Sequence, residues 1–495
     1  MENGRCGRGE VNRVIVRRPP WLAGLMSTIA IGLGILFGGV YVGTFVVEGG
    51  LQRARNWYLF FAMVSFFLFM ALRVNTCLMI FFAYLSVEGM LKLLTNYHPI
   101  VHIGADVILF FILVRWVGNK IITGEPFERT PYFGLIALHS FWIMIQVFNP
   151  YSLGLIPSLG SFKVHLTMIP LFFLGYSVME EERDLKAFIA LQCFLGFVVW
   201  GTAMQQYIQG PDSIAWLGPT AQEKLWQFGD FFFRPFGTTA TPGAPSNYGL
   251  IALPFVVTGF WIWRSWLARV MLSFLVILGV ATLFVCQVRQ VFILSVVAVF
   301  LVVMLAPRSV IGRGIAVTAM AGMGMIAYVM SQLLGGLVVM ARFLTLLQSQ
   351  TYLRSREGSL ETALYNAIHF PFGAGMGRVG AAADKFKLEL AQNPVPVKWS
   401  DTFPGMMISE AGVPALLFLS LILLLMVFHA FLAVRRTEGE IPRLMAVAIF
   451  SLLLIYIPFS VGANPIMGNP YTAYFWFLGG LAMKLSHVQP KPQKA

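Results

Sequence analysis

Thr402 to Val434 reads TFPGMMISEAGVPALLFLSLILLLMVFHAFLAV, and after Glu410 no Asp, Glu, Lys or Arg occurs before Arg435. A helix of that length outruns the hydrocarbon layer of a bilayer, about 30 Å thick. The pattern recurs along almost the whole chain of 495 residues. Of these residues 58% are hydrophobic and 12% charged, with a mean hydropathy of +0.75, whereas soluble domains carry roughly twice that charge. No soluble domain of ordinary size fits between the apolar runs. The expected fold is all-α, a polytopic transmembrane helical bundle of about 12–14 spans.

The apolar runs place spans at Trp21 to Val47, Trp57 to Leu72, Asn75 to Leu91, Ile100 to Trp116, Tyr132 to Phe148, Val164 to Met179 and Ala187 to Ile208. They continue at Tyr248 to Trp263, Val270 to Val285, Val291 to Leu305, Gly314 to Val339, Thr402 to Val434, Leu444 to Phe459 and Tyr471 to Leu485. Single charges, Arg73 and Arg289, mark two of the junctions. Five arginines precede residue 21, yet no small-residue cleavage site follows, so the first span reads as a retained anchor. The four cysteines, Cys6, Cys77, Cys193 and Cys286, are scattered. They suggest neither a disulfide framework nor a metal site.

Lysine and arginine set the orientation. With the N-terminus inside, cytoplasmic segments hold 21 of the 35 and short outer connections only five, Arg53, Arg55, Lys92, Lys163 and Arg289. The remaining nine fall in two long segments, Gln209 to Asn247 and Met340 to Asp401, which therefore face outward. The net charge of +13 has its source in this bias and gives no support to nucleic-acid binding. The expected organisation is a basic tail (1–20), an N-terminal bundle (21–208), an outer loop (209–247), central helices (248–339), a larger outer loop (340–401), C-terminal helices (402–485) and a short tail (486–495).

Long loops in compact proteins are usually functional. The first is rich in aromatics (Trp216, Trp226, Phe228, Phe231, Phe232, Phe233), which suits an interfacial surface or sugar stacking. In the second, REGSLETALYNAIH (Arg356 to His369) reads as an amphipathic helix that ends at Pro371 and a run of glycines. The two loops are expected to pack together as a periplasmic cap over an outward cavity.

Three pieces carry chemistry. They are FFFRPFGTTATPGAPSNYG (Phe231 to Gly249), CQVRQVF around Arg289, and SREGSLETALYNAIHFPFGAGMGRVG (Ser355 to Gly380) followed by KWSDTFPGMMISEAGVPALLFL (Lys398 to Leu419). Their order resembles the O-antigen ligase and O-antigen (exopolysaccharide) polymerase superfamily of integral-membrane glycosyltransferases. That family shows Arg-x-x-Gly-Thr/Phe before a Pro-Asn-x-x-Gly helix start, then an Arg at the outer end of a later helix. An Arg-led amphipathic helix follows, running into Pro-x-x-Gly-x-Gly, and last a polar residue nine positions before Glu-x-Gly. Here those are Arg234 with Gly237 and Thr238, Pro245 with Asn247, Arg289, Arg356, Pro371 to Gly377, and Asp401 with Glu410 and Gly412. The resemblance covers Val199 to Phe418 well and the early spans by hydropathy alone. Ligases of the family typically carry His where this chain has Asp401, which favours the polymerase.

The resemblance implies a bacterial inner-membrane enzyme without metal or cofactor, using an undecaprenyl-pyrophosphate-linked oligosaccharide donor on the periplasmic face and a glycan or lipid acceptor. It also implies the lipid bilayer, a chain-length regulator and a flippase as partners. The alternatives are a ligase that moves the glycan to lipid A core or protein and, from another class, a secondary transporter or flippase.

Elementary chemistry assigns roles beside this. A pyrophosphate leaving group needs fixed positive charge, and guanidinium supplies it with a planar fork of donors. Arg234, Arg289 and Arg356 are the candidates for pyrophosphate binding. Arg289 also reads as a snorkelling interfacial residue, Arg234 as a loop residue capping carbonyls, and Arg356 as a surface partner of Glu357 or Glu361. The acceptor hydroxyl needs a base, and the candidates are Asp401 and His369. Asp401 also reads as part of a helix N-cap, and His369 as a partner of its helix's C-terminal dipole. Glu88 and Asp106 would suit a transporter's ion path. The plainer reading pairs Glu88 with Lys92 and turns Asp106 to the outer cavity.

Overall fold

A computed structural model describes residues 69–179, 181–227, 233–307, 349–379, 397–398, 402–463 and 468–487, with the isolated positions 314, 329, 400, 465 and 466. Its elements are α1 (Val74–Leu94), α2 (Pro99–Thr123), α3 (Phe133–Gln146), α4 (Leu155–Leu166), α5 (Pro170–Ser177), α6 (Glu182–Gln209) and α7 (Pro219–Gln227). They continue as α8 (Pro245–Ile262), α9 (Trp266–Cys286), α10 (Arg289–Leu305), α11 (Ser349–His369), α12 (Phe403–Arg436), α13 (Glu440–Gly462) and α14 (Tyr471–His487). A 3₁₀ turn, Pro211–Leu217, precedes α7, and there is no strand among the described residues.

Six helices there are long and apolar enough to cross a membrane, taking α4 and α5 as one segment from Leu155 to Ser177. The protein is a multi-pass membrane protein with an all-α bundle. The expected spans Trp21 to Val47 and most of Trp57 to Leu72 lie outside the described residues, as does Gly314 to Val339 apart from 314 and 329. Both charge-marked junctions are helix boundaries. Arg73 is the N-cap of α1, and Arg289 opens α10 after a left-handed Gln287. One expected span changes: Val164 to Met179 begins earlier, at Leu155, and breaks between Leu166 and Pro170, because Pro170 lacks the N–H that would continue the ladder.

Lipid tails are as apolar as leucine, so close packing must hold these helices together. Where α5 crosses α14, glycines face each other's backbones. A Cβ on Gly175 would overlap the Phe477 carbonyl, and one on Gly480 the Phe172 carbonyl. Around this crossing Phe82 meets Phe188 edge-on at 5.5 Å and Phe477 at 5.0 Å, and Phe188 meets Phe255 at 5.6 Å. Each such pair contributes about 0.5–1.5 kcal/mol beyond its buried area.

The two ends of the bundle differ. At one, Arg443 donates to the carbonyls of Leu305 and Ala306, Lys484 to Ser177, Arg115 to Leu72, and Arg264 pairs with Glu440. At the other, the two long loops enter and leave. Their described parts dock on different helices, the first on α1 and α6 and the second on α12 and the α3–α4 link.

Candidate functional site

The first loop folds back onto the bundle through its Gly-Thr pair. Gln206, in the last turn of α6, accepts from the N–H groups of Phe236 (2.9 Å) and Gly237 (2.8 Å) and returns a hydrogen bond to the Gly237 carbonyl. Gly237 has φ +54°, and a Cβ there would press on Pro245 and the Val199 carbonyl at 2.9 and 3.0 Å. Thr238 donates to the Ser86 carbonyl (2.6 Å), and the Met90 N–H donates to the Thr238 carbonyl (2.8 Å). Leu93, Ile214, Leu217, Ala221 and Phe236 form a separate small core beneath the loop. Lys224 closes the edge by donating to Tyr97 Oη and to the Ala240 carbonyl. Burial, with Lys92 nearby, pulls the pKa of Lys224 down. Burial likewise pushes the Tyr97 phenol up.

This anchor fixes Arg234. The chain turns back so that the Gly243 N–H donates to the Pro235 carbonyl. A Cβ on Gly243 would lie 3.5 Å from Arg234 Cδ, 3.0 Å from the Cys286 carbonyl and 3.2 Å from Val288 Cγ2. Arg234, half-buried, thus runs beside the turn that leads from α9 into Arg289. Arg289 is half-buried as the first residue of α10, where the positive end of the helix dipole adds to its field. Its neighbour Gln290 holds α10 to α13 through the carbonyls of Pro458 and Phe459.

The second loop is built around a broken helix. Inside α12 Gly412 takes φ +79° and Pro414 lacks an N–H, so the hydrogen-bond ladder opens. The Pro371–Gly377 turn closes it. Val413 donates to the Pro371 carbonyl instead of to Ser409, and Ala374 donates to the Ser409 carbonyl in its place. Trp142 Nε1 takes the Ala411 carbonyl at 2.7 Å. Gly373, Gly375 and Gly377 all have φ near +90°, a region that costs other residues strain. Glu410, buried, locks the turn. Its Oε1 accepts from the Gly377 N–H (3.0 Å), and its Oε2 from Ser161 Oγ (2.6 Å) and His165 Nε2 (2.9 Å).

On the other side of this knot α11 packs along α12. Asn366, fully buried, donates to Ser409 Oγ and the Lys398 carbonyl and accepts from the Lys398 N–H. His369 ends α11, exposed, with its ring stacked on Tyr365 at 4.0 Å. Lys398 Nζ lies 4.4 Å from the same Tyr365 ring. His369 Nδ1 sits 2.9 Å from the Tyr365 carbonyl. A carbonyl only accepts, so Nδ1 carries the proton and a neutral ring keeps its free lone pair on Nε2.

The sequence-derived residues therefore separate. Arg234 and Arg289 lie beside one turn, and His369 is carried on α11. Arg356 is on the same helix, but its side chain is outside the described residues, as is the whole of Asp401. Next to Asp401, Ser400 Oγ bonds to Thr402 Oγ1 (3.0 Å), and Thr402 is the N-cap of α12. Glu88 pairs with Lys92 at 2.8 Å, as its spacing suggests. Asp106 pairs with Lys163 of α4. Gln206, Ser161, His165 and Asn366 carry the geometry without having been singled out. Arg378, buried and donating to the Tyr151 carbonyl, belongs with them.

No protein-family model, curated protein or solved structure matches this chain.

Proposed function

We propose that the protein is a membrane glycosyltransferase that uses an undecaprenyl-pyrophosphate-linked glycan on the loop-bearing side of the membrane and polymerises repeat units. The observation that carries this reading is that Arg234 runs beside the α9–α10 turn from which Arg289, 55 positions further on, opens α10. A diphosphate diester at the membrane surface is what two guanidinium groups and a helix N-terminus are suited to hold.

In the proposed reaction an acceptor hydroxyl attacks C1 of the donor glycan. The bond from C1 to the pyrophosphate oxygen breaks, undecaprenyl pyrophosphate leaves with the electron pair, and the acceptor's proton passes to a base. The arginines stabilise charge that grows on the leaving oxygen. His369 Nε2 and the Asp401 carboxylate are the two candidates for the base. The rival transporter reading drew on Glu88 and Asp106, and each has a lysine partner.

The loop-bearing side is proposed to be periplasmic, because the opposite end holds the basic residues. Reporter fusions after Gln227 and after Lys398 should both report the periplasm, and a cytoplasmic signal at either contradicts the orientation. For the activity, purified protein in vesicles with a labelled lipid-linked repeat unit should lengthen glycans without any ion gradient. Translocation of the label with no new glycosidic bond would establish the transporter instead.

A further inference from the structure

At the basic end a cavity of about 310 Å³ lies between the first turn of α1, the last third of α2 and the start of α6. Its volume sits at the small end of ordinary ligand sites, about 300–1,000 Å³. Two guanidinium groups, Arg73 and Arg115, and two carboxylates, Glu181 and Asp184, line it.

Opposite charges sharing one cavity ordinarily pair. Elsewhere in this protein they do so at 2.8 Å (Glu88 with Lys92) and 3.0 Å (Arg264 with Glu440). Here, among the described residues, none of the four is in an ion pair. The contact found for these side chains is Arg115 Nε donating to the Leu72 carbonyl at 3.4 Å. Glu181 is the N-cap of α6 but its side chain makes no capping bond. Asn75, which also lines the cavity, has a buried Oδ1 with no hydrogen-bond partner. The lining therefore holds both charge signs apart.

We infer that this cavity binds a phosphoethanolamine group, with the phosphate on Arg73 and Arg115 and the primary ammonium on Glu181 and Asp184. A simple anion would be repelled by the two carboxylates, and a simple cation by the two guanidiniums. A zwitterion whose charges are a phosphate and a hydrogen-bonding ammonium satisfies all four. Two guanidinium forks match phosphate oxygens in particular. The source is a phospholipid headgroup. α1 and α6, whose starts line the cavity, are long and apolar enough to cross a membrane, so the cavity lies where lipid headgroups do. The site lies at the opposite end of the bundle from Arg234 and Arg289 and does not depend on the proposed transfer reaction.

Native mass spectrometry of the delipidated full chain in detergent tests this, with phosphatidylethanolamine, phosphatidylglycerol and phosphatidylcholine of matched acyl chains. Loss of a charge-assisted hydrogen bond sets the scale, so phosphatidylethanolamine should be retained at least about tenfold better than the other two. Arg73→Gln/Arg115→Gln should abolish retention of all three. Glu181→Gln/Asp184→Asn should raise phosphatidylglycerol to the level of phosphatidylethanolamine, a gain that misfolding would not produce. Equal retention of phosphatidylglycerol by the native chain, or a preference that survives Glu181→Gln/Asp184→Asn, would overturn the inference. Thermal unfolding with free phosphoethanolamine separates the sources. Protection by it without retained lipid supports the recognised group and assigns it a soluble origin, whereas equal protection by free serine removes the phosphate from the account.

Discussion

The first loop is held by a neutral amide, Gln206, which exchanges three hydrogen bonds with the Phe236–Gly237 backbone. The second is held by a buried carboxylate, Glu410, that accepts from a hydroxyl, an imidazole and a backbone N–H. An amide costs little to bury once bonded, and its removal leaves only neutral groups unpaired. A carboxylate in the same position is costly to desolvate and depends on all its donors. The first loop is therefore anchored by a part that tolerates change, and the second by one that does not. Glu410 also ties together α4, the glycine turn and the kink of α12.

The largest effect should follow from breaking the charged anchor. Glu410→Ala should cost about 3–5 kcal/mol, because it leaves Ser161, His165 and Gly377 with no acceptor in a buried place. Thermal unfolding in detergent should show a large drop, with protease cleavage appearing first between residues 349 and 400. An unchanged transition would remove Glu410 as the organiser. Gln206→Leu, the matching change in the neutral anchor, should cost about 1–3 kcal/mol through the two orphaned N–H groups. Because the two anchors share no partner, the double variant should be additive within about 0.5 kcal/mol, and strong coupling would mean that the loops are one unit. The smallest effect belongs to Thr238→Val, which keeps the shape and loses one hydroxyl bond to Ser86. About 0.5–1.5 kcal/mol is expected in the same measurement.

Much of this architecture could be read from composition and pattern. Apolar length gave α1, α6, α9 and α13 nearly to their ends, and the single charges at Arg73 and Arg289 marked true boundaries. The break between α4 and α5 was less legible, because Leu155 to Ser161 is too polar to read as a span yet is the part that carries Ser161 to Glu410. The Gly-Thr and Glu-x-Gly pieces stood out in the sequence as chemistry, and the structure assigns Gly237, Thr238, Glu410 and Gly412 to anchoring. A motif's spacing does not say which of its members touch a ligand and which hold the loop. The partners of those members, Gln206, His165 and Asn366, come from distant helices, so local pattern could not connect them. The Asp106 to Lys163 pair was hidden for the same reason.

The central claim is that the anchored first loop and the start of α10 present Arg234 and Arg289 to a pyrophosphate. Glycan transfer from a labelled lipid-linked donor, measured with purified protein whose thermal unfolding is checked in parallel, tests it most directly. Arg234→Ala and Arg289→Ala should each lose transfer by about 10²-fold or more while unfolding at the native temperature. Lysine at either position should restore little, since a point charge lacks the planar fork. Near-native transfer by Arg289→Ala, in a protein that still folds, would return that residue to the membrane interface and contradict the account.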